Sequence, residues 1–414
     1  MSIREGITFD DVLLVPKFSD ISSRTQTDLS TKLSKNITLN IPLISANMDT
    51  VTESTMAVTM ARQGGIGIIH RFLTIQEQAN QVLKVKRSGS VMIENPYLVS
   101  QDETISTALD IMAEKEVSGL LVVDSESSLV GILTERDVLF ESLDSTKLVN
   151  ELMTKDVITS KPGINVDEAK DILKNNRIEK LPLVDHDQKI HGLYTTQDIL
   201  NTENYPIASH DTKGRPLVGA AVGVKGDFLE RTEALLEAGT DAIVVDIAHG
   251  HSENAISTVK NIKKAFPNCE LIAGNVATAQ GALDLVAAGA DGIKVGVGPG
   301  SICTTRIVTG HGVPQLTAIL EVCEAVDVPV IADGGIRKSG DMVKALAAGA
   351  STVMLGSLLA GTDESPGGVI TRDGSRYKMI RGMASYGAAL GRSKRAGDEV
   401  SEATPEGVEA LIPY

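Results

Sequence analysis

Residues 271–295 read LIAGNVATAQGALDLVAAGADGIKV and hold a complete strand–helix–strand unit. The apolar runs Leu271–Asn275 and Gly292–Val295 predict two strands, and Ala279–Ala288 between them predicts an amphipathic helix. Gly289 follows the last helical residue, where glycine is favoured because it adopts the left-handed conformation that closes a helix. Two apolar strands joined by such a helix indicate parallel strands that are buried on both faces.

The same unit recurs along most of the chain. The eight predicted strands are Ile41–Ser45, Gly65–Ile69, Leu217–Val222, Ala242–Asp246, Leu271–Asn275, Gly292–Val295, Val330–Asp333 and Thr352–Gly356. Eight strand–helix units are the number in a (β/α)8 barrel, the TIM barrel, which is therefore the predicted fold. A doubly wound open sheet is the alternative, because it shows the same alternation.

The barrel pattern is interrupted between residues 92 and 205, where the chain repeats itself. Asp124 and Gly131 recur as Asp185 and Gly192, at a constant offset of 61 residues. An internal repeat marks a separately packed unit. The predicted organisation is the first part of the barrel over 1–91, an insertion with halves of about 92–148 and 149–205, and the rest of the barrel over 206–414.

The two repeats resemble a tandem pair of CBS modules, a Bateman domain. The resemblance implies a site for an adenine or guanine nucleotide between the halves. An insertion that has lost its ligand is the alternative.

Composition limits the classes of function. The chain has 414 residues, of which 42% are hydrophobic and 22% charged, and its net charge of −15 argues against a nucleic-acid surface. No apolar run approaches 18 residues, and the N-terminal MSIREGITFD lacks a signal-peptide core, so no membrane partner is expected. Three cysteines form no disulfide framework, and the expected location is the cytoplasm.

A glycine-rich loop follows the sixth predicted strand. Residues 296–306 read GVGPGSICTTR, and the three glycines and the proline indicate a tight turn that carries Cys303. A thiol presented on a rigid, accessible loop is a candidate nucleophile. A structural turn with an incidental cysteine is the alternative.

Further candidates lie directly after the strands, because the chemistry of such barrels is at the carboxyl ends of the strands. Glycine-rich loops after strands seven and eight bind phosphate in this fold through backbone N–H groups. Asp333 is placed to bind ribose hydroxyls, or else it caps the next helix. The candidates are Asp246, Ala248, Asn275, Asp333, Gly334, Gly335, Gly356 and Ser357.

Seven ordered motifs resemble the IMP dehydrogenase/GMP reductase family. They are Ser45–Glu53, Asp246–Ser252, Gly296–Arg306, Asp333–Gly335, Met354–Ser357, Arg381–Ser385 and Pro405–Gly407. The resemblance implies that Cys303 attacks C2 of a purine mononucleotide while hydride passes between that carbon and NADPH or NAD+. It also implies a homotetramer or octamer.

The resemblance assigns each candidate a role. Thr305 and Glu406 would transfer protons beside Cys303. Ser301, Asp333, Gly334, Gly335, Gly356, Ser357, Gly382, Met383 and Glu406 would bind the nucleotide, and Asp246, Ala248, Asn275, Gly296 and Gly298 would line the nicotinamide side. The carbonyls of Gly298, Gly300 and Cys303 resemble the monovalent-cation site of the dehydrogenases, which would hold K+.

The family carries out two reactions, and one segment separates them. Dehydrogenases have an Arg-Tyr pair in the flap, where the arginine is the base that hydrolyses the covalent intermediate to XMP. Residues 388–399 read AALGRSKRAGDE, with no tyrosine after either arginine, and Asn47 is a reductase-like residue. The sequence therefore favours GMP reductase, which converts GMP and NADPH to IMP and ammonia. IMP dehydrogenase is the alternative, and an inactive CBS nucleotide sensor is a remote one.

Overall fold

The computed structural model describes residues 4–89, 92–142, 145–388, 390 and 404–414. The chain forms two compact units, one made of Met1–Ser88 with Ile207–Tyr414 and the other of Gly89–Pro206. No helix among these described ranges is long and apolar enough to cross a membrane.

The first unit is a closed barrel of eight parallel strands. In chain order these are β1 (Leu43–Ser45), β2 (Ile66–Ile69), β3 (Val218–Val222), β4 (Ala242–Asp246), β5 (Glu270–Val276), β6 (Gly292–Val295), β7 (Val330–Asp333) and β8 (Thr352–Leu355). Each strand pairs in parallel with the next, and β8 pairs with β1 to close the ring. The predicted TIM barrel is confirmed, and a closed ring excludes the open sheet.

Helices cover the outside of the barrel. They are α1 (Ser54–Arg62), α2 (Ile75–Arg87), α3 (Phe228–Glu237), α4 (Glu253–Ala265), α5 (Ala279–Ala288), α6 (Gln315–Ala325), α7 (Ser339–Ala347) and α8 (Ser357–Ala360). The Thr278 hydroxyl caps α5 by accepting the Gly281 N–H, and Gly289 ends it with a φ of +115°. This is the C-cap that the sequence predicts.

Alternate residues of each strand face opposite layers of the core. On β4, Ala242 and Val244 belong to the cluster inside the ring, whereas Ile243 and Val245 pack in the layer shared with the helices. Every residue of β2, β3 and β6 is buried. Burying a Val, Leu or Ile side chain stabilises the fold by about 1.5–3 kcal/mol, so these two layers fix the ring.

Smaller elements complete the first unit. Short 3-10 helices cover Phe9–Asp11 and Arg24–Gln26, and the strands Thr31–Lys32 and Thr38–Leu39 pair as a hairpin. An antiparallel sheet contains Ile370–Arg372, Ser375–Arg381 and Glu409–Pro413 in that order. This sheet was not predicted from the sequence, and it carries the chain back to Cys303, because Cys303 forms an antiparallel bridge with Gly407.

The second unit is a structural repeat. Its first half has Leu98–Ser100, helix Ile105–Lys115, Gly119–Val123, Leu129–Thr134 and helix Val149–Leu152, and its second half has helix Val166–Asn176, Lys180–Val184, Ile190–Thr195 and helix Thr196–Asn204. The two antiparallel strand pairs carry a register shift at equivalent points. The long helix of each half ends on a left-handed residue, Glu116 or Arg177. The identification of this repeat as a CBS pair stays a prediction.

Candidate active site

The loop after β6 has a conformation that requires glycine. Gly296 and Gly298 have φ values of +146° and +71°, which residues with a Cβ rarely adopt. Arg306 holds the loop from outside, since its Nε donates to Val297 O at 3.0 Å and its Nη2 donates to Val313 O at 2.7 Å. The loop is therefore a rigid mount for Cys303, which is half-buried.

Cys303 lies at one end of a short hydrogen-bonded chain. Its Sγ is 3.2 Å from Thr305 Oγ1, and that hydroxyl donates to Glu406 Oε2 at 2.8 Å. The Thr304 N–H donates to Glu406 O at 2.9 Å, which fixes the carboxylate beside the loop. A hydroxyl between a thiol and a carboxylate can relay a proton, as nucleophilic catalysis requires.

The other two cysteines are in environments that suppress reactivity. Burial raises the pKa of Cys269 to about 12 and that of Cys323 to about 11. The thiolate is the nucleophilic form, so neither cysteine reacts readily at neutral pH. Both residues therefore serve a structural role.

Two adjoining cavities open at the carboxyl ends of the strands. The first, of about 420 Å³, is lined by the candidates for phosphate and ribose: Ser301, Asp333, Gly334, Gly335, Gly356 and Ser357. The second, of about 380 Å³, is lined by Asp246, Ala248, Asn275, Gly296, Gly298, Cys303, Thr305, Gly382, Met383 and Glu406. Gly300, Asp333 and Gly334 line both cavities, so the structure brings all of the candidates to one place.

The double glycine after β7 forms a cradle in the first cavity. Gly334 and Gly335 have φ values of +86° and +80°, and a Cβ on Gly334 would lie 2.8 Å from Pro299 Cγ. Successive N–H groups on such a turn, next to the start of α7, suit an anion such as a phosphate.

Sequence reasoning missed Lys294, which lies on β6 and is only 2% exposed. Its ammonium lies 3.0 Å from Asp246 Oδ1 and 2.8 Å from Asp333 Oδ2, and it also donates to Asn275 Oδ1. Burial alone would lower the pKa of Lys294, but the two carboxylates, Asp333 foremost, raise it above its usual value. The sequence signal that could have identified this residue is a lysine within an otherwise apolar strand.

Asp246 stays ionised for the converse reason. Burial would raise its pKa, but the Lys294 ammonium, and after it the charge of Arg71, hold that pKa below the usual value. Arg71 also lines the second cavity and was missed from the sequence. The positive charges of Lys294 and Arg71 therefore favour the ionised form of Asp246 in the wall of this cavity.

The flap is mostly outside the described residues. Of residues 388–399, the structure describes Ala388 and Leu390, and Arg392 and Arg395 lie outside the described residues. The Gly300 carbonyl of the expected cation site accepts the Cys303 N–H at 3.2 Å. Backbone carbonyl oxygens are a ligand type that K+ accepts, so the expected donors are of a suitable kind.

Comparison with known proteins identifies the family of this chain. A family model described as "IMP dehydrogenase / GMP reductase domain" matches residues 6–414. The inosine-5'-monophosphate dehydrogenase of Nitrosopumilus maritimus is 67% identical over 423 residues, which cover 100% of this chain and 88% of that protein. The enzyme of the same name from Aquifex aeolicus is 56% identical over 420 residues, which cover 100% and 86%.

A solved structure gives the same result. The chain is similar to a cysteine-to-alanine variant of GMP reductase from Trypanosoma brucei in complex with guanosine 5'-monophosphate, with a TM-score of 0.92 and 45% identity. The match covers 100% of this chain and 88% of that one. The family model and these relatives extend over nearly all of the chain, which belongs to the IMP dehydrogenase/GMP reductase family and is a purine-nucleotide oxidoreductase of that family.

Proposed function

We propose that Cys303 forms a covalent bond with C2 of a purine mononucleotide that occupies the first cavity. The observation that carries this proposal is the position of the thiol, which lines the second cavity beside residues that line both. A nucleotide whose phosphate lies at the Gly334–Gly335 cradle, with its ribose at Asp333, has its base directed toward the thiol. A nicotinamide dinucleotide, when bound in the second cavity, exchanges hydride with C2.

Thr305 and Glu406 provide the proton relay. The Thr305 oxygen is 3.2 Å from the sulfur and its hydroxyl donates to Glu406. The thiol proton therefore has a path to the carboxylate as the sulfur attacks, and a proton has the reverse path when the C–S bond breaks.

For the direction of the reaction we put IMP dehydrogenation first, that is, IMP, NAD+ and water to XMP and NADH. It is supported by the 67% and 56% identity to relatives of that name, over 100% of this chain. Hydrolysis of the intermediate needs a base. Arg392 and Arg395 provide the residue type that dehydrogenases use, in the segment where the family carries it.

GMP reduction, which the flap sequence favours, is the second candidate. No tyrosine follows Arg392 or Arg395, and Asn47 is reductase-like. The similarity to the Trypanosoma brucei reductase over the whole chain supports the same reaction. It would convert GMP and NADPH to IMP, ammonia and NADP+.

A paired assay separates these proposals. The purified chain is incubated with IMP and NAD+, and separately with GMP and NADPH, and nucleotide products are measured by chromatography. XMP formation supports the dehydrogenase, and IMP with ammonia supports the reductase. The Cys303→Ala variant is the control and should be inactive in both. Activity that survives in this variant would overturn the covalent mechanism, and inactivity of the parent chain in both assays would favour the nucleotide sensor.

We further propose the accessory features that the family resemblance implies. The carbonyls of Gly298, Gly300 and Cys303 would bind K+, so turnover should be higher in K+ than in Li+ at equal ionic strength. The second unit would bind an adenine or guanine nucleotide, which isothermal titration detects. A cytoplasmic homotetramer or octamer is the proposed assembly, and light scattering measures its mass.

A further inference from the structure

Four side chains of alternating charge lie along the wall of the second cavity. Arg71, Asp246, Lys294 and Asp333 all line it, and the Lys294 ammonium bridges the two carboxylates at 3.0 and 2.8 Å. Only Asp333 of these four also lines the first cavity. Lys294 therefore connects a carboxylate on the nucleotide side with a carboxylate on the nicotinamide side.

The surroundings of Lys294 leave it little freedom to find other partners. It is 2% exposed, and its third contact, Asn275, also donates to Asp333 Oδ2 at 2.9 Å and to Gly296 O at 2.7 Å. A Cβ on Gly274 would lie 2.7 Å from Lys294 Cβ, so the neighbouring strand packs directly against the stem of this side chain. A buried ammonium must be paired, so a weaker bond to one carboxylate strengthens its hold on the other.

A nucleotide changes this balance. Ribose hydroxyls that donate to Asp333 compete with Lys294 for the carboxylate oxygens. The ammonium then bonds more strongly to Asp246. The position and the electrostatic field of Asp246 in turn influence a ligand in the second cavity, which this residue lines. Because equilibrium coupling is reciprocal, a ligand beside Asp246 must change the affinity at Asp333 by the same factor.

We propose that Lys294 is a positioning residue that couples the two cavities, so that occupation of the nucleotide side strengthens binding on the nicotinamide side. This inference rests on the proposed function, which assigns one ligand to each cavity. It adds a route for coupling through the protein, in addition to direct contact between the two ligands.

The test measures that coupling without turnover. In the Cys303→Ala background, the Kd of IMP is measured with and without saturating NAD+, and the Kd of GMP with and without NADPH. The ratio of the two Kd values is the coupling factor. The coupling factor is then measured in chains that carry Cys303→Ala together with Lys294→Met, Lys294→Arg or Lys86→Met.

Lys86 is a matched control at the other end of the barrel. It is 3% exposed and lies 3.0 Å from Asp211 Oδ2 and 2.6 Å from Asp241 Oδ2, at the amino ends of β3 and β4. Its loss should cost similar stability while leaving the cavities intact. Direct contact between the two ligands contributes equally to the coupling factor of every variant, so a difference between variants reports the route through the protein.

We expect Lys294→Met to reduce the coupling factor by about five-fold or more, whereas Lys294→Arg and Lys86→Met keep it within about two-fold. An unchanged factor in Lys294→Met, an equal loss in Lys86→Met, or no coupling in the background chain would overturn the proposal. If Lys294→Met does not fold, Asp246→Asn replaces it. This variant should lower the affinity for the nucleotide alone, since Lys294 then binds Asp333 more tightly, and unchanged affinity would contradict the inference.

Failure of the proposed function has a different signature. The background chain would then bind neither IMP nor GMP. If the chain binds the nucleotide but its coupling factor does not change in Lys294→Met, the result contradicts the coupling role of Lys294 and leaves the proposed function standing.

Discussion

At the scale of single residues, burial separates the three thiols of this chain. Cys303 is half-buried on an accessible loop, whereas burial raises the pKa values of Cys269 and Cys323 to about 12 and about 11. Since raising the pH through a thiol's pKa creates the thiolate, these two cysteines should become reactive only in strongly alkaline solution.

We therefore predict selective alkylation. At pH 8 iodoacetamide should modify Cys303 and leave Cys269 and Cys323 unmodified, because about one Cys323 side chain in a thousand would be ionised. Labelling of Cys323 should rise as the pH approaches 11. Mass spectrometry of tryptic peptides measures each site, and prior addition of IMP or GMP should protect Cys303. Modification of Cys269 at the same rate as Cys303 at pH 8 would contradict the prediction.

The proton relay makes a second prediction at this scale. Thr305→Val or Glu406→Gln should lower kcat by about 10²–10⁴-fold while the nucleotide KM changes much less, because the relay acts on the reacting sulfur. Steady-state kinetics measure both constants. Thr309→Val is a matched control on the same short helix, Thr305–Thr309, since the Thr309 hydroxyl donates to Thr305 O at 2.8 Å and accepts the His311 N–H at 3.2 Å, both outside the relay. A kcat loss in the control equal to that in Thr305→Val would assign the effect to helix distortion.

At the scale of elements, the turn from β7 into α7 depends on its first glycine. An alanine at position 334 would have to adopt a φ of +86° and would meet Pro299 Cγ at 2.8 Å and Gly300 N at 3.2 Å. The left-handed conformation alone costs a residue with a Cβ about 1–2 kcal/mol. The same turn forms the cradle that we assign to phosphate.

Gly334→Ala should therefore raise the nucleotide KM and lower the free energy of unfolding by about 1–2 kcal/mol. Gly340→Ala is the control, because Gly340 lies in the first turn of α7 with nothing within 4 Å of a built Cβ. Alanine there should stabilise the chain by about 0.5–1 kcal/mol and leave KM unchanged. Thermal melting and steady-state kinetics check both variants. An unaltered KM in Gly334→Ala would remove the turn from the nucleotide site.

Elements also show what could be predicted from the sequence. The eight strands and the residues after them were predictable because the apolar runs are local signals, and parallel strands bring their carboxyl ends together. Lys294 was not, because its two partners are 48 and 39 residues away along the chain. The sheet that pairs Ser375–Arg381 with Glu409–Pro413 was missed for the same reason: no local pattern reports a distant strand partner.

At the scale of the whole molecule, the inserted unit has its own core. Val99, Ile105 and Leu133 are buried within the cluster of its first half, and Ala169 and Leu181 within that of its second. The constant 61-residue offset between the repeats made this unit visible in the sequence. A ligand for it was not derivable, because ligand contacts depend on side chains that a repeat does not specify. The CBS identification therefore stays a prediction.

The barrel segments on either side of the insertion are both hydrogen-bonded to the last turn of α1. Arg62 donates to the Ser88 carbonyl at 3.2 Å, and the Ser209 N–H donates to the Ala61 carbonyl at 2.8 Å. Because adjacent residues of one helix hold the two ends, the ends are close together. About eight Gly and Ser residues, with an average reach of about 15 Å, should join them without strain.

Replacing residues 89–206 with this linker should therefore leave the barrel folded and active. No strand or helix of the ring is removed, and every candidate at the two cavities is retained. We expect a cooperative thermal transition and turnover within about three-fold of the parent chain, since domains with their own cores fold independently. Circular dichroism and the paired assay measure both. Cys303→Ala in the shortened chain must abolish the remaining turnover if that activity belongs to the same site. A shortened chain that binds nucleotide but no longer turns over would instead mean that catalysis at the barrel needs the inserted unit.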